Sequence, residues 1–414
     1  MNTTTENRYS NVTPVFLGVL GFLVYYGLFA SFDRTRGYVN EGPLQLVGTM
    51  WKLGIFSATM WRVGEAARTS RKLYLSLGGA FAIVGSALLL AIELFSPSGT
   101  PASTPASPQV ALRFLVEGIE AVGEAFICAG LVAHVREETL GNDWRYFRVT
   151  TALRVGQNTG MVLTLFLGTR LQLWAHFAQQ YATVLLGMRV CVALLLLRMI
   201  RGGAIRNLPR VKREKKAVTL DRLVLDVTIG ASAYALFYLV AIGPSSLVAG
   251  YDKCQAIALN GAFALIAMIA IYLLANNADK KMPAKFALLK IESIAVIGGV
   301  VVIGGWMISL WYRTPYSLLI GAGLLGLFTT STYVLSELSS GLYGNPKNQA
   351  AQIVSFFGLS RLGPIVALVT ILLTQAAHSA VPLSTAAVLG CAGIVVGVVQ
   401  KWRIESKGGH REYV

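Results

Sequence analysis

The sequence predicts an all-α membrane protein, and three observations carry that expectation. Hydrophobic residues make up 54% of the chain and charged residues only 14%, where a soluble protein carries about 25% charged residues. The mean hydropathy is +0.59. The apolar residues gather into runs of about 20, the length at which a helix crosses a bilayer.

Twelve spans are expected, at 13–32, 44–62, 73–95, 109–134, 149–170, 177–198, 222–247, 254–275, 285–310, 315–338, 349–374 and 380–400. The first lacks a basic leader and an A-x-A-like site, so it reads as a span and not as a cleavable signal. The second is the least hydrophobic, with Gln45 and Lys52; it is needed for successive loops to alternate sides. The third is plainly apolar. After it, "SPSGTPASTPASPQ" (96–109) is an uncharged, flexible external loop. The fourth carries Arg113, Glu117, Glu120 and Glu124, and the fifth opens with the small-residue stretch "RVGQNTG" (154–160). The sixth runs into the basic connector "RMIRGGAIRNLPRVKREKKAVTLDR" (198–222). Beyond it, the seventh holds Asp226 and Tyr234, the eighth Asn260 and the tenth Glu337. The eleventh contains "GLSRLGP" (358–364) with Arg361. The expected organisation is a six-helix bundle at 1–200, a linker at 201–221, a second six-helix bundle at 222–400 and a tail at 401–414.

The formal net charge is +16. With the N-terminus inside, 25 of the 36 Lys and Arg fall in cytoplasmic segments, 5 in external loops and 6 within spans. That asymmetry places both termini in the cytoplasm. A basic face against anionic headgroups accounts for the charge without nucleic acid. The expected setting is the bacterial inner (cytoplasmic) membrane, as a multi-pass monomer. The four cysteines and four histidines are dispersed, with no metal-ligand spacing, and no nucleophile motif or phosphate loop is present. No catalytic residue, metal or cofactor is therefore expected.

The halves repeat weakly. Basic turns follow the second and eighth spans, "RVGEAARTSRK" (62–72) and "NNADKKMPAK" (276–285). Small-residue stretches occupy the fifth and eleventh. Such repeats build many secondary transporters. With its twelve spans, central linker and loop positions, nearly the whole chain resembles the major facilitator superfamily. That family's loop between spans two and three reads G-x-x-x-D-R-x-G-R-R. Arg68, Arg71 and Lys72 match its basic positions, with Ala67 in place of the acid and Ser70 in place of the glycine. In the second half Asp279 and Lys280 match the Asp-Arg pair. The resemblance implies a cytoplasmic charge latch formed by Arg68, Arg71, Lys72, Asp279 and Lys280. It also implies that spans one, four, seven and ten line a central path. Gly156 and Gly160 match the glycine series of the family's antiporters, with Met161 where proline would follow.

Arg113, Glu117, Glu120 and Glu124 lie within about 60° of one another on one helix face. An ion near the bilayer centre costs about 2.5–3.5 kcal/mol even on insertion scales, so four on one face need a use. Close carboxylates do not all ionise easily; one is expected to hold and release a proton, with Glu120 and Glu124 the first candidates. Glu117 sits at ion-pair spacing from Arg113. Lys52, Arg113, Arg154 and Arg361 supply cations for an anionic substrate. Asn158, Asn260, Tyr26, Tyr234, Asp226 and Glu337 are the further candidate substrate contacts, with Tyr25, Tyr238 and Tyr333 as further aromatic walls. Arg189 and Lys290 lie on spans outside this path and are expected to pair internally or to snorkel. The pattern points to proton-coupled export of a polar, acid-bearing small metabolite, which the resemblance implies is siderophore-like. Import of an organic anion or siderophore by proton symport, multidrug efflux, and a non-transporting receptor or scaffold are the alternatives.

Overall fold

The structure, a computed structural model, describes residues 12–27, 43–65, 71–95, 108–139, 142–172, 178–201, 220–277, 284–342 and 349–408. These residues form helices joined by short connections, with no strand among them. In the first half, α1 (Val12–Phe22) continues into a π-helical turn, Leu23–Gly27. It is followed by α2 (Pro43–Glu65), α3 (Arg71–Phe95), α4 (Pro108–Thr139), α5 (Asp143–Gln172) and α6 (Ala178–Arg201). After the central linker come α7 (Leu220–Ile242), α8 (Lys253–Asn277), α9 (Ala284–Trp311), α10 (Pro315–Leu325), α11 (Ser331–Leu342), α12 (Gln349–Ser360), α13 (Leu362–Ala377) and α14 (Val381–Gly408).

Local chemistry explains several boundaries. Helices α2, α4 and α10 start at proline, which lacks only a donor that a first turn leaves unused. A π-helical turn, Gly326–Thr330, separates α10 from α11 within one continuous apolar stretch. The break between α12 and α13 falls at Arg361. Pro364 has no N–H for the carbonyl of Ser360 four residues back, and its ring crowds that carbonyl.

The protein is a multi-pass integral membrane protein. Eight stretches of the described residues are long and apolar enough to cross a membrane: α3, α6, α7, α8, α9, α10 with α11, α12 with α13, and α14. The shorter α1 is also apolar. Helices α2, α4 and α5 have the length, at 23, 32 and 30 residues, but they carry the polar and ionisable side chains described below. On α9, Ile294, Ile297, Val301 and Ile308 form an exposed stripe at helical spacing, as a lipid-facing surface requires.

Before the linker, α4 packs on α2 and α3, α1 on α5, and α3 on α6. After it, α7 packs on α11, α13 and α14, and α8 on α10. The halves meet where α5 lies against α8 and where α2 lies against α12 and α13. A buried apolar cluster crosses this boundary, joining Phe56 and Met60 of α2 and Tyr146 of α5 to Leu335 of α11 and Phe356 of α12.

The α1–α5 contact depends on Gly156. A Cβ there would lie 2.0 Å from the Val15 carbonyl oxygen, so the two backbones touch as small-residue membrane interfaces permit. Gly156→Ala is expected to lower stability by about 1–3 kcal/mol, the usual cost of overpacking, read as an earlier thermal unfolding in detergent.

Candidate functional site

The acids of α4 share a face, yet each finds a different partner. At 1.5 Å rise per residue, Glu117 and Glu124 stand about 10 Å apart along the axis, so they meet different layers of the bundle. Glu117 is buried, takes the Arg113 Nε at 3.3 Å from one turn away, and packs its carboxylate over Gly48 of α2. Glu120 is fully buried and pairs with Arg189 of α6, its other oxygen pressed against Gly85 of α3. Arg189 also donates to the Val24 carbonyl at 2.6 Å and stands over the Tyr25 ring. Arg189 thus pairs internally, and the pair is enclosed within the first half. Lys290 is exposed on α9.

Glu124 alone among the three faces the other half. Its carboxylate lies 3.6 Å from Lys52 Nζ of α2 and 3.4 Å from Arg361 of the α12–α13 break. Arg361 also hydrogen-bonds the Tyr234 hydroxyl of α7 and stacks over the Phe56 and Tyr234 rings, 4.6 and 4.8 Å from their centroids. The loss of regular helix at Pro364 sets this arginine at a break in its span, where helices from before and after the linker meet.

A second ion pair joins the halves. Arg154 of α5 pairs with Glu337 of α11, hydrogen-bonds Gln157, and lies 5.0 Å above the Phe357 ring. Both partners are shielded, with side chains 12% and 3% exposed. A small cavity adjoins the pair, lined in part by Cys128, Tyr146, Thr150 and Phe357. Its constricted interior has room for roughly one or two water molecules. The Tyr146 and Thr150 hydroxyls and the Arg154 Nε border it with no hydrogen-bond partner in good geometry. Cys128, one turn beyond Glu124 on α4, lines the same cavity, so the two inter-half ion clusters are neighbours.

The interface brings together five of the expected site residues, Lys52, Glu124, Arg154, Glu337 and Arg361, and sets Tyr234 beside them. Others are placed elsewhere. Asn158 donates to the Arg154 carbonyl of its own helix at 2.9 Å. Asn260 donates to the Ala322 carbonyl at 2.9 Å, serving the α8–α10 contact. Asp226 is fully buried against Lys401 of α14, at 2.6 Å. Lys401 was expected in a tail beyond the last span; α14 instead continues through it to Gly408. Of the latch residues, Arg68, Asp279 and Lys280 lie outside the described residues, as do the side chains of Arg71 and Tyr26; Lys72 is half-buried at the start of α3.

Tyr333, offered by the sequence as an aromatic wall, packs against the Tyr234 and Phe357 rings that lie against the two arginines. The sequence reading missed Phe357, whose spacing is that of an ordinary core aromatic.

No family model matches the chain, and no curated protein matches it in sequence. Solved structures match almost its whole length. FucP, a major facilitator superfamily transporter captured in the outward conformation, aligns with a TM-score of 0.67 at 13% identity, over 94% of this chain and 98% of that one. The proton:xylose symporter XylE, bound to 6-bromo-6-deoxy-D-glucose, aligns at 0.68 and 12% identity, over 95% of each chain. The human organic anion transporter MFSD10 (TETRAN) aligns at 0.63 and 13% identity, over 93% and 98%. The chain has the fold of the major facilitator superfamily transporters.

Proposed function

We propose that this chain is a secondary active transporter of twelve spans in two six-helix bundles, with both termini in the cytoplasm. Its substrate in this reading is a small polar acid-bearing metabolite, siderophore-like, exported in exchange for protons. One observation carries the reading. The inter-half network holds three cations, Lys52, Arg154 and Arg361, against two carboxylates, Glu124 and Glu337. Cations gathered where the halves meet are suited to an anion, and a guanidinium holds a carboxylate in two parallel hydrogen bonds.

The chemistry follows from competition. While Glu124 is ionised it occupies Lys52 and Arg361. A proton on Glu124 releases both cations to the substrate carboxylate, and loss of that proton restores the internal pairs. Glu337 and Arg154 work the same exchange beside the cavity. Glu117 and Glu120, each held by an arginine, serve the fold. The rocking of two halves about a midplane site would make and break these inter-half pairs. The latch residues Arg68, Arg71, Lys72, Asp279 and Lys280 would hold the cytoplasmic side closed.

XylE is described as a proton symporter and MFSD10 as an organic anion transporter, and each supports one part of this reading. The first favours uptake as the second reading: symport of an organic anion. The two directions separate in one experiment. Spent medium and cell extract of wild-type and deletion strains are compared under iron-poor and iron-rich growth. Export predicts an acidic metabolite lost from the medium and retained in the deletion cells, the change confined to iron-poor growth for a siderophore. A metabolite that instead accumulates in the medium supports uptake. No change in either compartment removes the transport proposal for these conditions.

The cross-half pair has its own test. Arg154→Glu and Glu337→Arg are each expected to reduce transport at least about tenfold, equivalent to about 1.4 kcal/mol in the barrier. The double exchange should recover part of the loss. No recovery would mean that the two side chains do not act as a pair during transport.

A further inference from the structure

Two fully buried ion clusters lie wholly inside the halves. Arg189 and Glu120 balance each other. The other cluster does not balance: Asp226 of α7 and Glu292 of α9 share the single ammonium of Lys401 on α14. Lys401 Nζ lies 2.6 Å from Asp226 Oδ1 and 2.8 Å from Glu292 Oε1, and all three side chains are at most 1% exposed. Helix α11 adds two hydroxyls. Ser340 donates to Asp226 Oδ2 and Ser336 to Glu292 Oε1, each at 3.1 Å. Glu292 Oε2 is left buried with no hydrogen-bond partner.

The surroundings do not supply the missing positive charge. Among the described residues, Lys401 is the only cation within ion-pair distance of either carboxylate. Arg222, one turn before Asp226 on α7, reaches Glu405 of α14 at 2.7 Å. On α9, Lys290 is exposed. From α5, Tyr146 brings a hydroxyl up to Gly341, next to Ser340. An uncompensated carboxylate sealed from water is among the least favourable arrangements a protein interior holds.

We propose that Asp226, Glu292 and Lys401, with Ser336 and Ser340, form a proton-binding site in the second half, separate from the inter-half network. One proton cancels the excess negative charge, and the unpartnered Glu292 Oε2 is the atom that takes it. The site has a direct mechanical link to the proposed path. Ser336, Glu337 and Ser340 lie within five residues of α11: the serines bond the cluster, while Glu337 reaches across to Arg154. When the proton leaves, the cluster attracts both hydroxyls more strongly, and α11 is drawn toward α7 and α9, away from Arg154.

The test reads the protein itself, in lipid nanodiscs, without a transport assay. Infrared difference spectra are recorded from acidic to alkaline pH on the wild type, Glu292→Gln and Asp226→Asn. The wild type is expected to show a carboxylic acid carbonyl band that persists at neutral pH and is lost on alkalinisation. Both variants should lack it, because either neutral amide leaves one carboxylate balanced by Lys401. Thermal stability supplies the second readout. Glu292→Gln, which removes the excess negative charge, is expected to leave it unchanged or higher. The proposal is overturned if the wild type lacks a protonated band at neutral pH, or if the band is unchanged in both variants. A stability that follows sodium concentration, with no such band, overturns it in favour of a sodium ion. A variant that fails to fold leaves the wild-type spectrum decisive.

Discussion

Glu124→Gln is expected to abolish the dependence of transport on a proton gradient and to lower its rate at least about tenfold, about 1.4 kcal/mol in the barrier, while the protein stays folded in the membrane. Glu124 is the one α4 acid whose carboxylate spans the boundary between halves, touching Lys52 on one side and Arg361 on the other. Glutamine keeps the size and some hydrogen bonding but neither the charge nor the exchangeable proton. Glutamine no longer competes as a carboxylate with an anion for Lys52 and Arg361, at any pH. Binding of an acidic substrate should therefore survive, or tighten, as its release becomes pH-independent. The measurement is uptake into proteoliposomes with and without an imposed pH gradient, beside equilibrium binding. Wild-type gradient dependence in the variant would remove Glu124 from the coupling step.

The largest stability effect is expected at the buried pair inside the first half. Arg189→Ala should cost about 3–5 kcal/mol, the usual penalty for stripping one partner from a buried ion pair. Glu120 would be left against Gly85 with neither a cation nor water to partner its carboxyl, and the Val24 carbonyl would lose its donor. Replacing both members, as Glu120→Leu with Arg189→Leu, should restore much of that loss, because the apolar pair leaves no orphaned charge. Thermal unfolding of the three variants in detergent tests the claim. Equal destabilisation by the single and double variants would show that the arginine's bond to Val24, and not its pairing with Glu120, dominates. In transport assays the double variant should retain gradient dependence, the opposite of Glu124→Gln. That contrast separates two acids one turn apart on the same helix.

These two acids also mark the boundary between what the sequence determines and what it leaves open. Composition and run length determine that the chain is helical and spans a membrane, since exposed backbone cannot survive in hydrocarbon. The sequence also marks Arg113, Glu117, Glu120 and Glu124 as exceptional, because ions at that depth need partners. The Arg113–Glu117 pair was legible for the same reason as any contact one helical turn apart: it depends on a single helix. The partners of Glu120 and Glu124 depend on three or more helices, and no local pattern encodes which neighbour faces which layer. Lys401 sits 175 residues after Asp226; its place at the end of an apolar run reads as a tail until α14 is packed against α7. The sequence offers a repeat only as faint similarity between halves, whereas the pairing of α5 with α8 and of α2 with α12 and α13 is a property of the packed helices. One-dimensional periodicity records which residues share a face of one helix. Only the packing of the helices decides which charge each face meets.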